Sequence, residues 1–206
     1  MSSFPKNNSW FFRLCLSMLL FVALLNPAYS LDLGQQENIA DGSGNNISFT
    51  LINSAIPAYS FFDQSDGKVY FYQKYSDGWR RESVISGMPQ QTETKIIPLD
   101  SEVYILVYDP AGNNLRVARR NFNGWETENI ASGVSSGIAA TECGSSICVA
   151  YKLNSNQSIR HSKGKFNSWS TSTVTSGGDM EGKFAIAENN FGQTAIAWFE
   201  FKVEKT

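Results

Sequence analysis

The residues best suited to chemistry in this chain recur in register. Tyr70, Arg116 and Arg160 occupy the same place in three aligned segments, Val69-Tyr70-Phe71, Leu115-Arg116-Val117 and Ile159-Arg160-His161. Trp79, Trp125 and Trp169 each follow a turn-forming pair, Asp77-Gly78, Asn123-Gly124 and Asn167-Ser168. Indole faces carry the apolar C–H surfaces of sugars, and neighbouring Tyr or Arg groups supply hydrogen bonds. Tyr70, Arg116, Arg160, Trp125 and Trp169 are therefore the candidate ligand-binding residues. The plainer role for a repeated Trp is to fill the wedge between neighbouring sheets, where burial contributes on the order of 2–3 kcal/mol. His161 is the only histidine in the chain. A packed, hydrogen-bonded imidazole is expected there, since no G-x-S-x-G elbow accompanies it. Asp63, Asp109 and Glu200 fall at equivalent segment ends, with Lys152 as the exception. Such residues form turns, or together ring a mouth that holds a cation or a polar ligand. Their spacing fits no EF-hand, zinc or phosphate-loop pattern, and neither a catalytic residue, a metal nor a cofactor is assigned.

The elements that must position these residues are strands. Five residues after each Trp stands Val84, Ile130 or Val174, and eight after stands Gly87, Gly133 or Gly177. The tail recurs at 36–42, QENIADG, which echoes TENIASG at 127–133. Between these marks lie short apolar runs punctuated by Gly, Asn, Asp and Ser, an all-β pattern. Each repeat spans about 45 residues with four strand candidates, the length of a propeller blade. In the second repeat the strands are expected over 95–99, 103–108, 115–120 and 125–131. The period-2 rule places Tyr70, Arg116 and Arg160 on one face and Phe71, Val117 and His161 on the other. A β-sandwich of similar strand count is the competing architecture, but it has no need to repeat the Trp and the Gly.

The fold expected is thus a small β-propeller of about four blades of four-stranded antiparallel sheet. The blades fall roughly over 43–87, 88–133, 134–177 and 178–206 plus 35–42. The last is incomplete and closed by the N-terminal strand, which removes exposed edges. Its missing third strand leaves a second arrangement, an open arc that pairs with another copy.

Residues 1–30 read as a signal peptide: Lys6 and Arg13, an apolar run over 14–25, then Asn26-Pro27-Ala28-Tyr29-Ser30. That run is shorter than the roughly 20 residues of a membrane span. Residues 31–206 then form the one domain. The whole chain has 17 basic and 19 acidic residues; with the two leader bases removed the remainder carries 15 bases and a net charge of −4. An acidic domain is poorly suited to nucleic acid, whose phosphates call for a basic surface. Cys143 and Cys148 flank the turn residues 144–147, and an oxidising compartment favours a disulfide between them over two buried thiols. Asn46 and Asn156 stand in N-x-S sequons.

The recurring unit, an aromatic-acidic strand end, a turn, a strand and a Gly-Trp turn, resembles the repeats of sialidase-like and fucose-lectin-like β-propellers. The resemblance covers the chain beyond the leader. The sialidase-type box S-x-D-x-G-x-T-W is absent, and Ser65-Asp66-Gly67 is the nearest string, at different spacing. The resemblance to the fucose-lectin type implies sugar binding between blades by aromatic and Arg side chains, here Arg116, Trp125, Arg160 and Trp169. The expected function is an exported, non-enzymatic binding module, secreted or periplasmic, with glycans or a cell-surface protein as partner. The alternatives are a protein-interaction or structural propeller without a sugar site, and a sialidase-like glycoside hydrolase. Self-association through the incomplete blade is a further expectation.

Overall fold

The computed structural model describes residues 44–177 and 179–201. The leader over 1–30 and the strand expected over 35–42 lie outside the described residues. Within them the chain is all β. Sheet 1 holds β1 (Gly44–Ile52), β2 (Ile56–Asp63), β3 (Lys68–Tyr75) and β4 (Gly78–Ser86). Sheet 2 holds β5 (Glu93–Leu99), β6 (Glu102–Asp109), β7 (Asn114–Asn121) and β8 (Gly124–Ser132). Sheet 3 holds β9 (Val134–Cys143), β10 (Ser146–Leu153), β11 (Ile159–Lys165) and β12 (Ser168–Thr175), and β13 (Asp179–Glu188) and β14 (Thr194–Phe201) form a hairpin. Every sheet is an antiparallel meander in chain order. First strands neighbour one another in series: β1 lies beside β5, β5 beside β9 and β9 beside β13.

The repeated sequence marks have physical causes. The glycine closing each repeat is left-handed, with φ of 72° at Gly87, 73° at Gly133 and 83° at Gly177. Nothing lies within 4 Å of a Cβ added at any of the three, so the backbone angle alone demands glycine. The Val or Ile five residues after each Trp is the extra residue of a β-bulge. Pairing skips Val84 between Val69 and Tyr70, Ile130 between Leu115 and Arg116, and Val174 between Ile159 and Arg160. Such a bulge re-aims a side chain. Val84 is accordingly buried in the layer between sheets 1 and 2, and Ile130 packs against the layer between sheets 2 and 3.

Two apolar layers join the three sheets. Ala58, Phe62, Val69 and Phe71 of sheet 1 meet Ile96, Val103, Ile105 and Val107 of sheet 2. The opposite face of sheet 2, with Leu106, Tyr108, Leu115 and Val117, meets Ile147, Val149 and Tyr151 of sheet 3. The alternation along β6 and β7 feeds one layer from odd positions and the other from even ones. Cys143 and Cys148 form a disulfide across the β9–β10 turn, with Cα atoms 5.7 Å apart.

Gly164 illustrates how closely the strands approach. A Cβ there would stand 2.0 Å from the Ser168 carbonyl oxygen and 2.8 Å from Trp169 Cα. Gly164→Ala is expected to cost about 3 kcal/mol in urea denaturation through forced displacement of backbone. Gly133→Ala, which meets only an unfavourable φ, is expected to cost about 1–2 kcal/mol.

Candidate ligand-binding cleft

The register places Tyr70, Arg116 and Arg160 on equivalent faces, each directed away from the next sheet. Tyr70 lies opposite Phe61, Arg116 opposite Val107 and Arg160 opposite Tyr151. Those faces belong to three different inter-sheet spaces, so the five candidate residues do not gather on one surface. Within sheet 2, Trp125 pairs with Arg120 while Arg116 pairs with Asn129, four residues or about 13 Å along the strand. Sheet 3 repeats this offset, with Trp169 opposite Gly164 and Arg160 opposite Thr173.

Most of these groups are already engaged. The Tyr70 hydroxyl donates to Asp66, and the Arg81 guanidinium stands 4.7 Å from the Tyr70 ring centroid. Arg116 Nη2 reaches Asp109 Oδ2 at 2.9 Å. Trp125 is half-buried, its ring edge-on to Phe71 at 5.4 Å, and its indole N–H donates to Glu82 Oε2 at 3.0 Å. Arg120 also pairs with Glu82. Trp169 donates to Glu128 Oε1 at 2.6 Å, and the same carboxylate takes the Asn167 backbone N–H. Trp125 and Trp169 thus each bind a glutamate on the fourth strand of the preceding sheet, whereas Trp79 Nε1 is buried without a partner. The sequence reading missed these acceptors, although Glu82 and Glu128 both stand three residues after a Trp. Arg160 Nε is buried without a hydrogen-bond partner.

Asp63 and Asp109 are the last residues of β2 and β6, and both serve turns. Asp63 Oδ1 accepts from Ser65 N at 2.9 Å and from Ser65 Oγ at 2.7 Å. Asp109 Oδ1 accepts from Ala111 N and Gly112 N, both at 3.1 Å. In sheet 3 Asn156 takes over this duty, holding Ser158 N at 3.2 Å.

A cleft of about 720 Å³ opens where the first strands begin and the second strands end. Asn46 comes from β1, Gln91 precedes β5, Glu93 lies on β5 and Ser135 on β9; Tyr108, Pro110, Asn113 and Asn154 complete the wall. Its frame is fixed by bonds between sheets. Asn46 Nδ2 donates to the Thr92 carbonyl at 2.9 Å, and Thr94 Oγ1 donates to the Asn46 carbonyl at 3.0 Å. Glu93 Oε1 accepts from Gly137 N at 2.9 Å across the gap to β9. Burial, followed by the charges of Glu93 and Asp109, holds the Tyr108 hydroxyl above its ordinary pKa, so it remains a proton donor at neutral pH. Among the described residues, four carboxamides, one phenol, one hydroxyl and one carboxylate line the cleft, with neither Lys nor Arg. Asn46, Gln91 and Asn113 adopt left-handed φ of 57°, 68° and 51°, a region that Asn tolerates and that the sequence did not mark as a site.

No protein-family profile and no curated protein matches the sequence. Among solved structures, the chain is similar to a leech intramolecular trans-sialidase complexed with 2,7-anhydro-Neu5Ac prepared by soaking with 3'-sialyllactose. The TM-score is 0.52 at 13% identity, over 77% of this chain and 28% of that one. The chain therefore spans under a third of that protein's length, and the likeness carries the fold, a propeller-like arrangement of antiparallel sheets.

His161 faces away from the second apolar layer, and its Nε2 is buried without a partner. Burial, then the Lys163 charge, lowers its pKa below the ordinary 6.5. Unfolding restores the higher value, so the unfolded state binds more protons under mild acid. The contribution is fully present above pH 6.5 and is lost as pH falls toward the depressed folded value. The urea midpoint is expected to decline as pH is lowered through this window, and His161→Gln is expected to flatten that part of the profile.

Proposed function

We propose that the chain is an exported, non-enzymatic glycan-binding module. It is a propeller of about four blades whose last blade is completed by the strand over 35–42, and it takes an uncharged sugar in the cleft between its first strands. The observation that carries this reading is the lining of that cleft. Carboxamides both donate and accept hydrogen bonds, which suits vicinal hydroxyls. The described wall holds Glu93 and neither Lys nor Arg, which disfavours anionic sugars. The disulfide between Cys143 and Cys148 supports an oxidising compartment.

Hydrolysis has weaker support, because glycosidases use two carboxyl groups flanking the bond and this wall offers one, already accepting two backbone N–H groups. A protein-interaction role is favoured by one observation: Phe122 is fully exposed at the tip of the β7–β8 hairpin. Arg160, with its unpartnered Nε, is the remaining candidate for a site between sheets 2 and 3.

A glycan array, followed by calorimetric titration of any hit, tests the proposal. Gln91→Ala and Asn154→Ala are each expected to weaken binding about three- to tenfold. Both side chains are exposed, so the thermal midpoint is expected to hold. Loss of binding in Arg160→Ala alone would move the site between the sheets. Silence across the array, with capture of a protein through Phe122, would replace the glycan reading. Turnover of a chromogenic glycoside that Glu93→Gln abolishes would make the chain an enzyme.

A further inference from the structure

A second cluster of side chains lies at the far end of the first strands from the cleft. Cys143 and Glu188 are the last residues of β9 and β13, which run side by side. Cys148 stands opposite Lys163 in the β10–β11 register, on the face of sheet 3 turned to the β13–β14 hairpin. The two Sγ atoms and a Glu188 carboxylate oxygen all lie within 4.8 Å of one another. The Thr194 hydroxyl is 3.8 Å from Cys148 Sγ, and Lys163 Nζ meets Glu188 Oε1 at 3.1 Å. Both cysteines are buried, and the Glu188 side chain is only 10% exposed. A disulfide carries no charge and no hydrogen to donate, so the sulfurs as they stand do nothing to offset the lost hydration of that carboxylate. A cation held among the three groups does.

We propose that Cys143, Cys148 and Glu188 form a zinc site that the disulfide closes and reduction opens. A dithiol reductant supplies the two electrons. One of its thiolates attacks a sulfur of the pair, and the other cysteine sulfur leaves as a thiolate and takes a proton. The second thiol of the reductant then displaces the attacked cysteine, which takes the other proton, and the reductant ends as its own disulfide. Zinc replaces the two thiol protons, forming two Zn–S bonds and one Zn–O bond to Glu188, with the Thr194 hydroxyl or a water in the fourth place. The arrangement suits that ion. Zinc takes four donors at about 2.0–2.3 Å, and a C-x4-C pair falls within the ligand spacing of its structural sites. Cα atoms 5.7 Å apart let two thiolates share one metal without moving the strands. Two sulfur donors disfavour magnesium and calcium, which take oxygen. Two thiolates and a carboxylate bring three negative charges to an ion with two positive ones, and the Lys163 ammonium offsets the third while holding Glu188 in place. This inference goes beyond the glycan reading and does not depend on it.

The test uses the full exported chain, reduced with a dithiol that is then removed without air, and zinc alone as the ligand. Calorimetric titration is expected to give one zinc per reduced chain, with release of protons, and no saturable binding in the disulfide form. Zinc is expected to raise the thermal midpoint of the reduced chain and to leave that of the disulfide form in place. Cadmium in place of zinc is expected to add a thiolate-to-metal ultraviolet band to the reduced chain alone. Glu188→Gln is expected to weaken zinc at least about tenfold. Unchanged affinity in Glu188→Gln would overturn the inference, because the carboxylate would then not be a ligand. Zinc binding that is the same with the disulfide intact, or absent after reduction, would also overturn it. If reduction alone unfolds the chain, added zinc is expected to restore the near-ultraviolet circular dichroism of the folded protein, and failure to restore it would sink the proposal.

Discussion

An indole N–H taken out of water calls for an acceptor, and for Trp125 and Trp169 that acceptor comes from another sheet. A single neutral hydrogen bond contributes little net stability, but a buried donor left without a partner costs the full loss of its hydration. That asymmetry ties the sheets together. Trp125 packs against Phe71 with its N–H satisfied by Glu82, and Trp169 is satisfied in the same way by Glu128. The carboxylates are held in turn by Arg120 and by the Asn167 backbone N–H. The apolar layers supply the bulk of the attraction between sheets, while the indole bonds fix how one sheet is placed on the next.

The bulge in every third-to-fourth strand pair serves the same end. Glu82 pairs with Phe71 and so lies on the face toward sheet 2, which the period-2 rule gives to Val84 as well. Val84, the extra residue of the bulge, is buried in the core, so that a polar and an apolar anchor both reach the neighbouring sheet. Where that neighbour is shorter, the anchor is stranded: Val174 is 40% exposed. The glycine that ends each repeat then turns the chain inward to start the next first strand.

Much of this was legible in the sequence. The Trp, the Val or Ile and the Gly recur because each meets a requirement that every sheet repeats, and the alternation of Tyr70 with Phe71 predicted the faces that the register shows. Repetition did not separate an indole that binds sugar from one that packs, because both uses call for the same residue at the same place. The distinction lay in Glu82 and Glu128, whose role depends on contacts some forty residues away. The cleft was illegible for a related reason. Asn46, Glu93, Tyr108 and Asn154 come from four elements, and no local pattern joins them. Asp63 and Asp109 drew attention as repeated acids, and the structure spends them on turns.

The arrangement of donors and acceptors also gives the molecule a direction. Sheets 1 and 2 each present an indole to one side and a carboxylate to the other, so their two broad faces are not interchangeable. Two copies meeting face to face through their Trp79 surfaces would set donor against donor across a twofold axis. Contacts built on the indole and carboxylate faces are therefore heterologous, and copies that add through them extend head to tail, closing as a ring or growing as a filament.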